Sequence, residues 1–166
     1  MGFVAYIVGV FNLRAFMLPN TKLIKPVAYG ATKAGETNDC TVRALSNASG
    51  IHYDVAHRAL QKEGRKPGRG AQANVWHRAY LASGMQLRGA YGVTRTTKAL
   101  QRIYRVIPDK GATLSKIMPT LSNGRFIVIV TGHALAVVDG AIIDSHASSG
   151  NKSVVAVYKL IKDYYA

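Results

Sequence analysis

Residues 37–45 read TNDCTVRAL and contain Cys40, the only cysteine of the 166-residue chain. Asn38 or Asp39 can cap a helix at this point, and apolar side chains follow at helical spacing as far as residue 47. Gly50 then provides a residue type that commonly ends a helix. The stretch therefore predicts a helix whose first turn carries a lone thiol.

A second stretch, GHALAVVDGAIID at residues 132–144, places a histidine and then a carboxylate on successive strands. Asp139 and the glycine after it form a strong hairpin signal, so the strands on either side should be adjacent and antiparallel. That pairing would bring His133 close to Asp144. Asp139 lies in the turn and is the weaker candidate, and His146 is near enough to compete as the partner of Asp144.

These residue types together meet the chemical requirements of a thiol nucleophile. The positive end of the helix dipole favours a thiolate, so Cys40 is the predicted nucleophile. His133 would hold the thiolate as an ion pair and later protonate the leaving amine, while Asp144 fixes the ring from its other side. The backbone N–H of Cys40 and the side chain of Asn38 are the predicted oxyanion donors.

The rest of the pattern predicts helices first and an antiparallel sheet second, which is an α+β fold. Further helices are predicted at 53–63, 72–82 and 96–102, and another runs from Thr113 through residue 121, where Pro119 should end or kink it. Strands are predicted near 104–107 and at 126–131, 133–138, 141–144 and 154–160. The segment from 84 to 110 is otherwise ambiguous.

Composition limits the classes of protein that the chain can represent. Its length suits one domain with a proper core. A single cysteine excludes an intrachain disulfide and a cysteine-rich zinc site, and it fits a reducing compartment. His52, His57 and His77 have no matching cluster of ligands, so neither a metal nor a cofactor is predicted.

The chain is strongly basic, with 22 Lys and Arg against 8 Asp and Glu and a formal charge of +14. Such a surface attracts nucleic acid or an acidic protein surface. The glycine-rich loop GRKPGRG at 64–70 lacks the Gly-Lys-Ser/Thr ending of a nucleotide-phosphate loop. Its Arg65, Lys66 and Arg69 are predicted to contact phosphate or an acidic partner.

Residues 1–35 are predicted to form an arm or extension, and residues 36–166 form the domain. The first eleven residues are apolar but have no basic start, and the run is too short for a membrane helix, so neither a secretory signal nor a transmembrane segment is expected. The apolar arm is instead predicted to pack as a strand or to dock on another chain.

A cysteine-headed helix, further helices and then a sheet carrying the histidine and aspartate resemble the papain-like cysteine peptidases. Residues 39–45, DCTVRAL, are similar to the nucleophile segment of ovarian-tumour-type deubiquitinases, and residues 124–144 are similar to bacteriocin-processing peptidases. The chain as a whole most resembles small papain-like proteins of tailed bacteriophages. Unlike the deubiquitinase motif, it has Thr37 in place of an aspartate three residues before the cysteine.

The resemblance implies a papain-like domain and a thiol hydrolase that cleaves a peptide, isopeptide or related amide in a peptide or protein substrate. It also implies a viral protein located in the host cytoplasm or in the virion. The alternative is a catalytically idle, basic binding or virion-associated structural protein that uses the same scaffold.

Overall fold

The structure is a computed structural model that describes residues 36–91, 95–104, 112–144 and 148–161. The predicted arm at 1–35 lies outside the described residues, as do His146 and most of the predicted strand at 104–107.

Three helices come first in the described chain, and all three match the sequence predictions within two residues. They are α1 Cys40–Ser49, α2 Tyr53–Lys62 and α3 Ala73–Ala82. As predicted, α1 ends at Gly50, which has a φ of 78° and donates its N–H to the carbonyl of Ser46 at 2.8 Å. Glycine suits this position because a left-handed backbone strains residues that carry a Cβ.

Within the described residues, five strands form one antiparallel sheet in the order β1-β5-β2-β3-β4, which confirms the α+β class. The strands are β1 Met85–Ala90, β2 Arg125–Val130, β3 His133–Val138, β4 Ala141–Ile143 and β5 Val154–Leu160. Between β1 and β2 lie α4 Arg95–Tyr104, α5 Leu114–Ile117 and a 3-10 helix Met118–Leu121.

The structure differs from the sequence predictions in three places. Strand β1 was not predicted, and it lies at one edge of the sheet, paired with β5. The helix predicted after Thr113 is split into α5 and the 3-10 helix, since Pro119 lies at the start of the latter and proline disrupts a continuing helix. Tyr104 ends α4 rather than beginning a strand.

The sheet is covered on both faces. Side chains of α1, α2 and α3 pack against one face, where Leu45, Trp76 and Tyr158 are buried. The other face packs against α5 and the 3-10 helix around Leu114 and Leu121. Because both faces are covered, β2 is buried along its whole length instead of alternating between buried and exposed positions. No helix among the described residues is long and apolar enough to cross a membrane.

Arg125, the first residue of β2, connects the sheet to the C-terminus of α1. Its Nε donates to the carbonyl of Ala48 at 2.6 Å and its Nη2 to that of Asn47 at 3.1 Å. Carbonyls in the last turn of a helix lack intrahelical donors, and a cation there also interacts favourably with the helix dipole.

Replacing this buried guanidinium should therefore destabilise the fold. We expect Arg125→Met to lower the free energy of unfolding by about 2–3 kcal/mol, because the helix carbonyls lose charged donors. Urea unfolding of the two proteins measures the difference. Arg58→Met, at an exposed position of α2, is the matched control and should stay within about 0.5 kcal/mol of the wild type. Equal losses in the two variants would contradict the role given to Arg125.

Candidate active site

Cys40 is the first residue of α1, and its half-buried thiol faces the beginning of β3. The sulfur accepts a hydrogen bond from the backbone N–H of Ala134 and is hydrogen-bonded to the side chain of His133. Asp39 is the N-cap residue, as the sequence allowed, but its side chain makes no capping hydrogen bond. The packing of α1 on β3 thus brings the thiol and the imidazole together.

Asp144 lies on the other side of the imidazole. Its Oδ2 is 2.5 Å from Nε2 of His133, and the two side chains are only 5% and 15% exposed, respectively. This contact leaves Nδ1 of His133 for the thiol. The arrangement follows from the register of β3 and β4, in which Ala136 pairs with Ile143, so that Asp144 emerges beside the first residues of β3.

Asp139, the weaker candidate, lies away from this cluster in the turn between β3 and β4. Its φ of 47° is in the left-handed region, which aspartate tolerates better than most residues. Its carboxylate accepts the N–H of Gly124 at 2.9 Å, which closes the turn. The structure therefore gives Asp139 a local structural contact.

Electrostatics at the site favour a charged thiolate and a charged imidazole. Burial raises the pKa of the Cys40 thiol, but the hydrogen bonds from His133 and Ala134 and the charges of His133 and Arg43 outweigh burial, so that the net pKa is lowered. The hydrogen bond to Asp144, followed by that to Cys40, raises the pKa of His133 to about 9. Both shifts favour the thiolate–imidazolium pair.

Arg43 links the start of α1 to the acid of the cluster. Its Nε donates to Oδ1 of Asp39 at 2.9 Å, and its Nη1 lies 3.7 Å from Oδ1 of Asp144. Arg43 and Asp39 are both almost completely buried. The guanidinium therefore neutralises two buried carboxylates and also lies close enough to favour the thiolate of Cys40.

Two tyrosines hold the segment around the thiol. Tyr53 of α2 donates its hydroxyl to Oδ2 of Asp39 at 2.8 Å, and Tyr80 of α3 donates to the carbonyl of Thr41 at 3.0 Å. Burial, followed by the hydrogen bond to Asp39 and its negative charge, raises the pKa of Tyr53. Both hydroxyls therefore remain protonated donors, and the first turn of α1 is fixed to two other helices.

Glu36 anchors the chain four residues before the thiol. Its buried carboxylate accepts hydrogen bonds from Nη2 of Arg65 at 2.5 Å and from the N–H of Gly68 at 3.0 Å, and it lies 2.8 Å from Nε2 of His57. Burial raises the pKa of Glu36, but the donors and the charge of Arg65 outweigh it and lower the pKa to about 2. The carboxylate therefore stays ionised.

This network corrects the role predicted for Arg65. The sequence placed Arg65 on the surface with Lys66 and Arg69, but its side chain is fully buried against Glu36 and cannot meet an external partner. The glycine-rich sequence around Arg65 suggested an exposed loop. The carboxylate that buries Arg65 belongs to Glu36, which lies 29 residues away in sequence. Lys66 and Arg69 are exposed, and their predicted contact with phosphate or an acidic partner remains a prediction.

Asn38, the predicted oxyanion donor, lies two residues before Cys40 with a φ of 52°, and its side chain is at the surface. Its Nδ2 donates to the carbonyl of Gly68 at 3.4 Å, and the hydroxyl of Thr37 donates to the same carbonyl at 3.2 Å. The loop at 64–70 thus supports the segment that leads to the thiol. The proposed role of Asn38 as an oxyanion donor stays a prediction.

Sequence reasoning missed Arg43, Glu36, His57 and Tyr53 as residues that organise the site. Arg43 did belong to the stretch that carried the family resemblance, and its position one turn after the cysteine was a usable signal. The other three depend on contacts between segments far apart in sequence. In the described parts of the chain, no three His, Cys, Asp or Glu side chains are placed so that they could hold a metal ion.

Comparison of the chain with known protein families, with curated proteins and with solved structures yields no match in any of the three cases. Inferences about function therefore rest on the residues and geometry described above.

The ionisation of the thiol can be tested by its reaction with iodoacetamide across a range of pH. Since only the thiolate reacts, the midpoint of the rate profile reports the pKa of Cys40. We expect a midpoint below that of a free thiol in the wild type. His133→Ala removes a hydrogen bond and a positive charge from the sulfur, so its midpoint should move upward.

The matched control is His52→Ala, which changes a histidine that is 69% exposed at the start of α2. It should leave the midpoint unchanged. A wild-type midpoint at or above that of a free thiol would contradict the thiolate–imidazolium pair.

The network around Glu36 predicts a stability that depends on pH. Because the pKa of Glu36 is lowered from 4.5 to about 2, its stabilising contribution is fully present above pH 4.5 and is lost as the pH falls towards 2. Glu36→Gln should remove this part of the pH dependence. At neutral pH, it should also cost about 3–5 kcal/mol, because Arg65 would remain buried without its counter-charge.

Urea unfolding at neutral pH and at steps through the acid range measures both effects. Glu63→Gln is the control, since Glu63 pairs with Arg78 at a site where the arginine side chain is 53% exposed, and it should cost no more than about 1 kcal/mol. Similar costs for the two variants, or an unchanged acid profile in Glu36→Gln, would refute the anchoring role.

Proposed function

We propose that this protein is a papain-like thiol hydrolase that cleaves a peptide, isopeptide or related amide through an acyl-thioester on Cys40. The observation that carries the proposal is the chain of contacts from the Cys40 thiol to His133 and from Nε2 of His133 to Asp144 at 2.5 Å. A nucleophile, a base and a group that orients the base form the constellation that nucleophilic catalysis requires.

The proposed first half-reaction forms the thioester. The Cys40 thiolate attacks the amide carbon, and the carbonyl oxygen becomes an oxyanion. As the tetrahedral species collapses, the C–N bond breaks and the imidazolium of His133 gives its proton to the departing amine. The acyl group is then bound to sulfur, and His133 is neutral.

The second half-reaction releases the acid. His133, now neutral, takes a proton from water while the water oxygen attacks the thioester carbon. Collapse of this tetrahedral species breaks the C–S bond, which releases the carboxylic acid and restores the thiolate with its imidazolium. Asp144 keeps the ring oriented throughout and stabilises its charged form.

The oxyanion would be stabilised at the N-terminus of α1. The backbone N–H of Cys40 belongs to the first turn, where amides have no carbonyl partner within their own helix. Asn38 is the proposed side-chain donor. Since its amide is bonded to Gly68 at 3.4 Å, a long distance for a hydrogen bond, the side chain would have to leave that contact when substrate binds.

The papain-like assignment is supported by the way the fold presents the site. Helix α1 begins with the nucleophile and packs on β3, which begins with the histidine, and the acid follows β4 directly. This is the order that the sequence resemblance implied. The lowered pKa of the thiol and the raised pKa of the imidazole also favour the charged pair that a cysteine peptidase requires.

The second candidate is a catalytically idle, basic binding protein. It is favoured by the exposure of Lys66 and Arg69 on the loop that supports Thr37 and Asn38, because a polyanion bound there would lie next to the thiol without reacting.

An activated ester separates the two candidates without knowledge of the natural substrate. We expect p-nitrophenyl acetate to give a burst of nitrophenol and an acetyl group on Cys40, detected by intact-mass analysis. Cys40→Ala should show neither. Asp144→Asn should slow acylation by about 10- to 100-fold, because the imidazole loses its orientation and its counter-charge.

Asp54→Asn is the matched control for Asp144→Asn, since its carboxylate is 48% exposed and far less enclosed. It should acylate at the wild-type rate. Absence of a burst in the folded wild-type chain would exclude the hydrolase. A salt-dependent affinity for an oligonucleotide that is reduced in Lys66→Gln and Arg69→Gln would then favour the basic binding protein.

A further inference from the structure

A cavity of about 730 Å³ lies between α3 and α4, outside the cluster of Cys40, His133 and Asp144. Its volume falls within the range of sites that bind small molecules or substrate side chains. It opens to solvent past exposed side chains at the start of both helices. The described residues of its lining are Gln72, Ala73, Asn74, His77, Arg95, Ala99 and Leu100.

The register of the sheet relates this cavity to the thiol. Ala134 pairs with Ile129, Ile129 pairs with Ala156, and Ala156 pairs with Ala90. These four residues form one row across β3, β2, β5 and β1, and all four are buried on the face covered by α1, α2 and α3. The row begins beside the thiol, because the N–H of Ala134 donates to the sulfur.

The same row ends beside the cavity. The side chain of Gln101 in α4 donates to the carbonyl of Ala90 at 3.1 Å, which fixes α4 against the end of β1. The row crosses three strand spacings, or about 14 Å. An extended peptide covers that distance in about four residues.

The core also connects the cavity to the site. Nδ1 of His77, in the cavity wall, lies 2.6 Å from the hydroxyl of Tyr158. Tyr158 packs edge-on against Tyr80 with ring centroids 5.3 Å apart, and Tyr80 donates to the carbonyl of Thr41 next to the nucleophile. Both regions are therefore built on the same buried aromatic cluster.

The lining combines a positive charge with apolar contacts. Arg95 provides a guanidinium, and none of the described residues that line the cavity is a carboxylate. Burial, with the charge of Arg78, lowers the pKa of His77, so among the described residues of the lining Arg95 is the cation at neutral pH. Ala73, Ala99 and Leu100 offer apolar contacts for methylene groups.

We propose that this cavity is a substrate-recognition subsite that binds an aspartate or glutamate side chain about four residues from the scissile bond, with Arg95 as its charge partner. The inference rests on the proposed hydrolase function. It assigns to the enzyme a preference for acidic peptide segments, which the charge of +14 would also attract over longer distances.

A randomised synthetic peptide library, digested by the full-length wild-type chain and analysed by mass spectrometry, tests the subsite. We expect Asp and Glu to be enriched at one position about four residues from the cleaved bond. Arg95→Gln should abolish this enrichment, and Arg95→Glu should replace it with Lys and Arg. Lys98→Gln is the matched control, because Lys98 is an exposed base of α4 that does not line the cavity.

The preferred acidic peptide and its Gln counterpart then measure the size of the effect. We expect kcat/KM for the acidic peptide to exceed that for the Gln peptide by about tenfold in the wild type, mainly through KM, and the ratio to approach one in Arg95→Gln. A preference that survives in Arg95→Gln, or cleavage without an acidic preference at that distance, overturns the proposal.

Failure of the hydrolase function itself has a different signature, namely no cleavage of any peptide. The same library is then selected by equilibrium binding to the Cys40→Ala chain. Enrichment of acidic residues that Arg95→Gln abolishes and Lys98→Gln retains supports the subsite, and its absence refutes it. A third outcome is that Arg95→Gln and Lys98→Gln lose oligonucleotide binding equally, with no enrichment of acidic peptides. That result would identify α4 as a nucleic-acid surface and would also refute the subsite.

Discussion

The contact on which the site depends is the buried guanidinium of Arg43, placed between Asp39 and Asp144. Two carboxylates removed from water close to each other would repel and resist ionisation unless a cation lay between them. Arg43 supplies that cation from the helix that carries Cys40, so the same residue that neutralises the acids also places its charge near the thiol. Through these contacts, Arg43 links the start of α1 to the residue that follows β4.

Several of the few acidic residues of the chain are buried. Glu36, Asp39 and Asp144 are three of 8 acidic residues, and the side chains of all three are buried against basic partners. Arg43, Arg65 and Arg125 are buried as well, so these buried acids and bases are equal in number, whereas Lys66 and Arg69 remain exposed. The net positive charge of the chain therefore comes from residues outside these buried groups.

The sequence predicted well those features that depend on local pattern. The bounds of α1, the hairpin at Asp139 and the class of fold followed from capping residues, periodicity and turn chemistry. Strand β1 escaped prediction because its identity depends on pairing with β5, about seventy residues later. Arg65 was wrongly predicted to lie at the surface for a similar reason. Local composition suggested an exposed side chain, but its burial depends on a carboxylate far away in sequence, Glu36.

The half-buried position of Cys40 exposes the pKa of its thiol to two opposing effects. Burial alone raises the pKa of the thiol, so deeper burial would favour the neutral form, while greater exposure would weaken its interaction with His133. The nearby hydroxyl of Tyr80 stays protonated, because burial, together with the charge of Cys40, raises the pKa of Tyr80 well above its ordinary value. The groups nearest the sulfur therefore favour a thiolate paired with the imidazolium of His133.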